Sequence, residues 1–246
     1  MHRYQILIEY DGTSYVGWQT QRKGKSIQKT VQASLKKLLK ENIILFSAGR
    51  TDSGVHAIEQ SAHFDVKNKI YNIHKIIKSL NFFLNNKNIS IINIKNKKNN
   101  FHARYSAKER IYLYIILNRY SPSSLNKDRE WHIRKKLDIN LIRKGAKKLI
   151  GTHDFSTFRA SNCSSKSPVR TINNIIISKI KNRIKLKFKS KSFLKNQVRS
   201  MVGCLKYVGE KKWKPEKIKK IIKSKKRSEC APPAPASGLF LKKVFY

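Results

Sequence analysis

A chain of 246 residues can bury a sizeable core, as one large domain or two small ones. Its 55 Lys and Arg against 14 Asp and Glu leave a formal net charge of +41, an excess that calls for a polyanionic partner, nucleic acid first among the candidates. No apolar run approaches the roughly 20 residues of a membrane-spanning helix, and Met1-His2-Arg3-Tyr4 leads into a strand-like pattern instead of a signal peptide.

Composition also carries a duller signal. Lys, Asn and Ile are over-used together, as in AT-rich coding sequences, so many lysines are read as solvated surface and the charge does not identify its partner. Cys163, Cys204 and Cys230 are odd in number and far apart, which suggests neither a disulfide framework nor a zinc site. The seven histidines show no ligand spacing. The expected setting is soluble, reducing and cytoplasmic, with no membrane.

In chain order, residues 3–10 alternate as a strand with Tyr4, Ile6, Ile8 and Tyr10 on one face. Asp11-Gly12 is a turn signal, so Thr13 to Gln19 reads by default as part of an aromatic-rich hairpin. Ser26 caps a helix running to about Lys40, with Ile27, Val31, Leu35 and Leu38 on its apolar face. Residues 43–46 form a short apolar run ending in a polar loop. Strands follow over 60–64, 89–94 and 110–118, with a second helix over 73–84. The turn formers of Tyr120-Ser121-Pro122-Ser123-Ser124-Leu125-Asn126 mark the linker candidate, dividing the chain into halves 1–120 and 121–246. The second half repeats the alternation, with a helix over 137–150 closed by Gly151 and strands over 172–179 and 183–189. A helix over 193–208 and another from Pro215 to about Lys223, with a basic face, complete it. In the strand 183–189, Ile184, Leu186 and Phe188 alternate with basic residues, so one face is buried and the other positive. The class is α+β.

The conspicuous stretch is Phe46-Ser47-Ala48-Gly49-Arg50-Thr51-Asp52-Ser53-Gly54-Val55-His56-Ala57. Gly49 and Gly54 bracket a loop and permit backbone angles that other residues avoid. Asp52-Ser53-Gly54 taken alone is an Asx-type turn. The sharper reading makes Asp52 a reactive carboxylate kept ionised by Arg50, because a nearby positive charge lowers an acid's pKa. If strand geometry persists through Thr51, residues 50 and 52 point to one face.

Ala48 to Ala57 resembles the catalytic motif of the TruA-type tRNA pseudouridine synthases, whose essential carboxylate matches Asp52. Tyr10-Asp11-Gly12-Thr13, Tyr15 and Gly17-Trp18-Gln19 resemble the family's opening motif. Phe101-His102-Ala103-Arg104-Tyr105-Ser106-Ala107 and the Arg110, Tyr112, Tyr114 pattern are similar to later ones. Asp154-Phe155-Ser156-Thr157-Phe158 and Ala234-Pro235-Ala236-Ser237-Gly238-Leu239 also match, so the likeness spans essentially the whole chain. Two positions depart from the pattern: Glu59 stands where Gly is usual before Gln60, and Asn85 follows Leu84 where Pro is usual.

The resemblance implies isomerisation of uridine to pseudouridine at positions 38, 39 and 40 of the tRNA anticodon stem-loop, with no cofactor and no metal. It implies a homodimer whose tRNA spans both subunits. It places Tyr112 under the target base, where a ring face stacks for roughly 1–3 kcal/mol. Arg50 is expected to fill the space of the flipped base, and the resemblance implies that Arg199 lies beside the carboxylate. The implied fold has two similar α/β halves sharing an extended mixed, largely antiparallel sheet, with helices on one side and a central basic cleft. Two rivals are a non-catalytic tRNA-binding or chaperone-like module, for which charge and aromatics suffice, and a related synthase acting on other RNAs. A purely electrostatic binder gains nothing from a carboxylate facing phosphates.

Overall fold

The computed structural model describes residues 1–246 and divides into two compact units, residues 1–108 with 240–246 and residues 109–239. The first part of the chain forms β1 (His2–Tyr10), α1 (Ile27–Leu39), β2 (Phe46–Ser47), β3 (His56–Val66), α2 (Ile73–Leu84) and β4 (Ile89–Lys97). There follow β5 (Glu109–Asn118), β6 (Trp131–Ile133), α3 (Ile139–Lys147), β7 (Gly151–Asp154), β8 (Val169–Ile180), β9 (Arg183–Ser190), α4 (Gln197–Gly209), α5 (Lys217–Ser224) and β10 (Leu239–Phe245). Strands that are mostly antiparallel, with five helices, make the protein α+β as the sequence predicts. No helix is long and apolar enough to cross a membrane.

In the first unit β1 lies between β3 and β4, antiparallel to both, with Tyr4 opposite Phe64 and Asn96 and Ile6 opposite Ala62 and Ile94. Tyr4, Ile6, Ile8 and Tyr10 of β1 are buried, as their alternation requires. Ile27, Val31 and Leu35 of α1 and Leu80 and Leu84 of α2 are buried too. Helix starts follow capping chemistry: Ser26 accepts the Lys29 N–H and Asn72 the Lys75 N–H. β10 pairs with β3 in parallel, Phe240 opposite His56.

The second unit orders its strands β5-β9-β8-β7, antiparallel, with β6 parallel to the end of β5. Ile184, Leu186 and Phe188 are buried and the intervening lysines of β9 are not, as the alternation predicts. α4 is buried on most of its circumference, whereas α5 buries Ile218, Ile221 and Ile222 and exposes Lys219, Lys220 and Lys223.

Several expectations need correction. Residues 13–19 form no hairpin; the partners of β1 are β3 and β4. The helix expected over 137–150 is α3 alone, because Asp138 caps it by accepting the Leu141 N–H, and Gly151 opens β7. The helix expected from 193 begins only at Gln197, since Asn196 sits at φ 62° and the Gln197 side chain accepts the Leu194 N–H. Cys204 and Cys230, distant in sequence, bring their sulfurs to 3.4 Å as free thiols.

Candidate active site

β2 ends at Ser47, and residues 48–55 leave strand geometry before β3 begins. The alternation argument for Arg50 and Asp52 sharing a face therefore does not apply. What orders this loop is contact with the segment after β1. The Trp18 N–H donates to the Thr51 carbonyl, and the Gly54 N–H and Ser53 hydroxyl both donate to the Tyr15 carbonyl. The buried Thr51 hydroxyl shares a 2.8 Å hydrogen bond with the Tyr10 hydroxyl. At the loop's entrance Gln60 donates from Nε2 to the Gly49 carbonyl at 2.7 Å, and the Ala48 N–H donates to the Ser61 carbonyl.

The turn itself closes where the Val55 N–H donates to the Asp52 carbonyl at 3.1 Å, with Gly54 at φ 74°. Gly54 thus uses the left-handed region that its lack of a Cβ permits; Gly49 does not. Gly12 serves a different need, because a Cβ there would lie 2.1 Å from the Val55 carbonyl oxygen. The Gly12 N–H donates to Nδ1 of the buried His56, and an Asp11 carboxylate oxygen lies 3.2 Å from that nitrogen. The opening motif is therefore the scaffold of the second one. Asp52 emerges half-buried and Arg50 exposed, a carboxylate on an ordered loop two residues from a guanidinium that solvent or a ligand reaches. Such a carboxylate serves as nucleophile or as base.

Tyr112 and Arg199 belong to the second unit. Tyr112, on β5 opposite Phe188, is 8% exposed, its ring edge-to-face with Phe193 at 5.1 Å. Arg199, half-buried on α4, donates from Nε to the Ala234 carbonyl at 2.7 Å and from Nη1 to Asn196 Oδ1 at 3.4 Å. The Ala234 N–H returns a bond to the Arg199 carbonyl, and the neighbouring Pro235 carbonyl accepts the Tyr114 hydroxyl. Burial raises the pKa of Tyr114, the Arg199 charge opposing it, so its hydroxyl stays a donor. Tyr10, Tyr15 and Gln60 support the loop through contacts that nothing local in the sequence announces; the signal for Tyr10 and Tyr15 was membership of the opening motif. No three His, Cys, Asp or Glu side chains are grouped to hold a metal ion.

A family model described as tRNA pseudouridine synthase matches residues 6–106 and 146–246. The chain is 61% identical over 246 residues to a protein of Pelagibacter ubique named tRNA pseudouridine synthase A, covering all of both chains. Proteins of the same name from Paramagnetospirillum magneticum and Rhodospirillum centenum are 42% and 38% identical, each over all of this chain and over 96% and 100% of their own lengths.

Proposed function

Because the chain belongs to the tRNA pseudouridine synthase family, we propose that it isomerises uridine to pseudouridine at positions 38, 39 and 40 of the tRNA anticodon stem-loop, with Asp52 as the catalytic carboxylate. The observation that carries this reading is the full-length likeness, with the Asp52 loop inside the first matched segment.

In the reaction the N1–C1′ bond breaks, the uracil turns, and C5 joins C1′; N1 gains a proton and C5 loses one. Nothing is oxidised and no group donor is consumed. Asp52 either attacks C1′ or removes a sugar proton, and both roles need it ionised. The nucleotide must first leave the stack, at a cost of a few kcal/mol that phosphate contacts by basic side chains offset. Arg50, exposed on the loop, takes the space the base vacates. Tyr112 supplies the stacking face and Arg199 the positive charge that favours the carboxylate. With so little of Tyr112 exposed, stacking on it requires part of its present cover to move. The working form is a homodimer in the cytoplasm, without cofactor.

Release of tritium from tRNA carrying 5-tritiated uridine tests the reading directly. Release from a tRNA with uridine only at 38, 39 or 40 is expected; tight binding without release supports the non-catalytic binder.

A further inference from the structure

One cluster of rings in the first unit has no part in the chemistry above. Phe46 of β2 faces His63 of β3 across the strand pair, the rings stacked at 5.1 Å and 21°. His102 meets His63 at 4.7 Å and Phe46 at 6.0 Å, and Tyr105 follows against His102 at 4.4 Å. The Arg104 guanidinium lies 5.6 Å from the centre of the Tyr105 ring. The cluster runs from the interior outward: His63 is 2% exposed, Phe46 46% and Tyr105 74%.

Its rim is held by the backbone. The Arg104 and Tyr105 N–H groups both donate to His102 Nδ1, and the Ala103 N–H donates to His63 Nδ1. Ser106 bonds His102 twice, its hydroxyl accepting the His102 N–H and its own N–H donating to the His102 carbonyl. Burial, with Arg3 nearby, lowers the pKa of both imidazoles, so the inner rings stay neutral. The nearby acid, Asp65, is engaged by Arg3 through two bonds of 2.8 and 2.7 Å. Two solvent-exposed rings beside a cation, on a chain of charge +41, match the chemistry of single-stranded nucleic acid. Every base has a π-face to stack, and a guanidinium serves base or phosphate.

We propose that Phe46, Tyr105 and Arg104 form a stacking site for an unpaired base of the substrate RNA, other than the base that reacts. The site rests on the tRNA reading for its occupant. Because β2 leads straight into the Asp52 loop, a base held there ties the RNA to the segment that precedes the reactive carboxylate.

The test uses the full chain and anticodon stem-loops carrying 2-aminopurine at one unpaired loop position at a time. Wild-type protein quenches the probe at one position. Tyr105→Ala and Phe46→Ala relieve that quenching and weaken binding roughly 5- to 150-fold, while Tyr105→Phe retains both. Arg104→Ala lowers the log–log salt slope of binding by about 0.7 to 0.9 if it meets a phosphate. Quenching and affinity unchanged in Tyr105→Ala and Phe46→Ala overturn the site. So does a loss of affinity that sedimentation traces to a lost second copy of the chain. Turnover without ring-dependent quenching overturns the stacking site and leaves the enzyme; quenching without turnover does the reverse.

Discussion

Asp52 owes its position to neighbours that are themselves fixed, so the loop's chemistry and its stability separate by substitution. Asp52→Asn keeps the shape but acts neither as nucleophile nor as base. It is expected to abolish tritium release while leaving tRNA affinity, measured by anisotropy, intact or slightly improved, since a charge that repels phosphate is gone. Normal turnover by this variant would remove Asp52 from its role. Tyr10→Phe acts on the support instead: the buried Thr51 hydroxyl loses that partner, at about 1–3 kcal/mol. Its melting temperature and its turnover are expected to fall together, and a wild-type melt would mean the bond contributes nothing. Under the stacking role proposed for Tyr112 the working part is its ring face, so Tyr112→Phe is expected to retain most activity and Tyr112→Ala to lose it. Equal damage from both would assign the hydroxyl a chemical part.

Strands and helices whose signals are local were legible in the sequence. The capped start at Ser26, the helix over 73–84 and the alternation in β1 and β9 recur in the structure nearly residue for residue. The misses are tertiary in origin. Asp11-Gly12 mimics a hairpin signal, yet Gly12 is small because the Val55 carbonyl needs its space. The Asp52 loop was readable as a motif, but its supports were not, since Tyr10 and Tyr15 lie 41 and 38 residues from the groups they hold. β3 also carries a consequence of pH. Burial first, then the charges of Arg3 and His102, hold His63 at about 4 against 6.5 for the free group. Between pH 6.5 and about 4 the unfolded chain takes up a proton that the folded chain refuses, so stability drops as the pH is lowered through that window and is indifferent to this group above it. Urea midpoints measured from pH 8 to 4 should show the decline, and His63→Asn should flatten it. An unchanged slope would place the dependence on other groups.

For the molecule as a whole, charge and specificity are expected to respond to different variables. If the surplus basic residues grip the RNA backbone, affinity falls steeply with salt, the log–log slope being about −0.7 to −0.9 per neutralised phosphate. Phosphate contacts set register and carry little sequence information. Uridines at 38, 39 and 40 should therefore be modified whatever their neighbours, provided the anticodon arm is folded. Assays on arms with shuffled flanks and on one unfolded arm decide this; strong dependence on flanking bases, or full activity on the unfolded arm, sinks it. The division of the chain has a further consequence, in the order of synthesis. Residues 1–108 need 240–246 to complete their unit, where β10 pairs with β3, the Phe245 carbonyl accepts the Lys108 N–H, and the Tyr246 hydroxyl donates to Ser61 and Ala103. A ribosome adding about 5–20 residues per second spends on the order of ten seconds on residues 109–239. Through that interval the His56–Ala57 stretch of β3, next to the Asp52 loop, waits as an unpaired edge of the kind that invites wrong pairing.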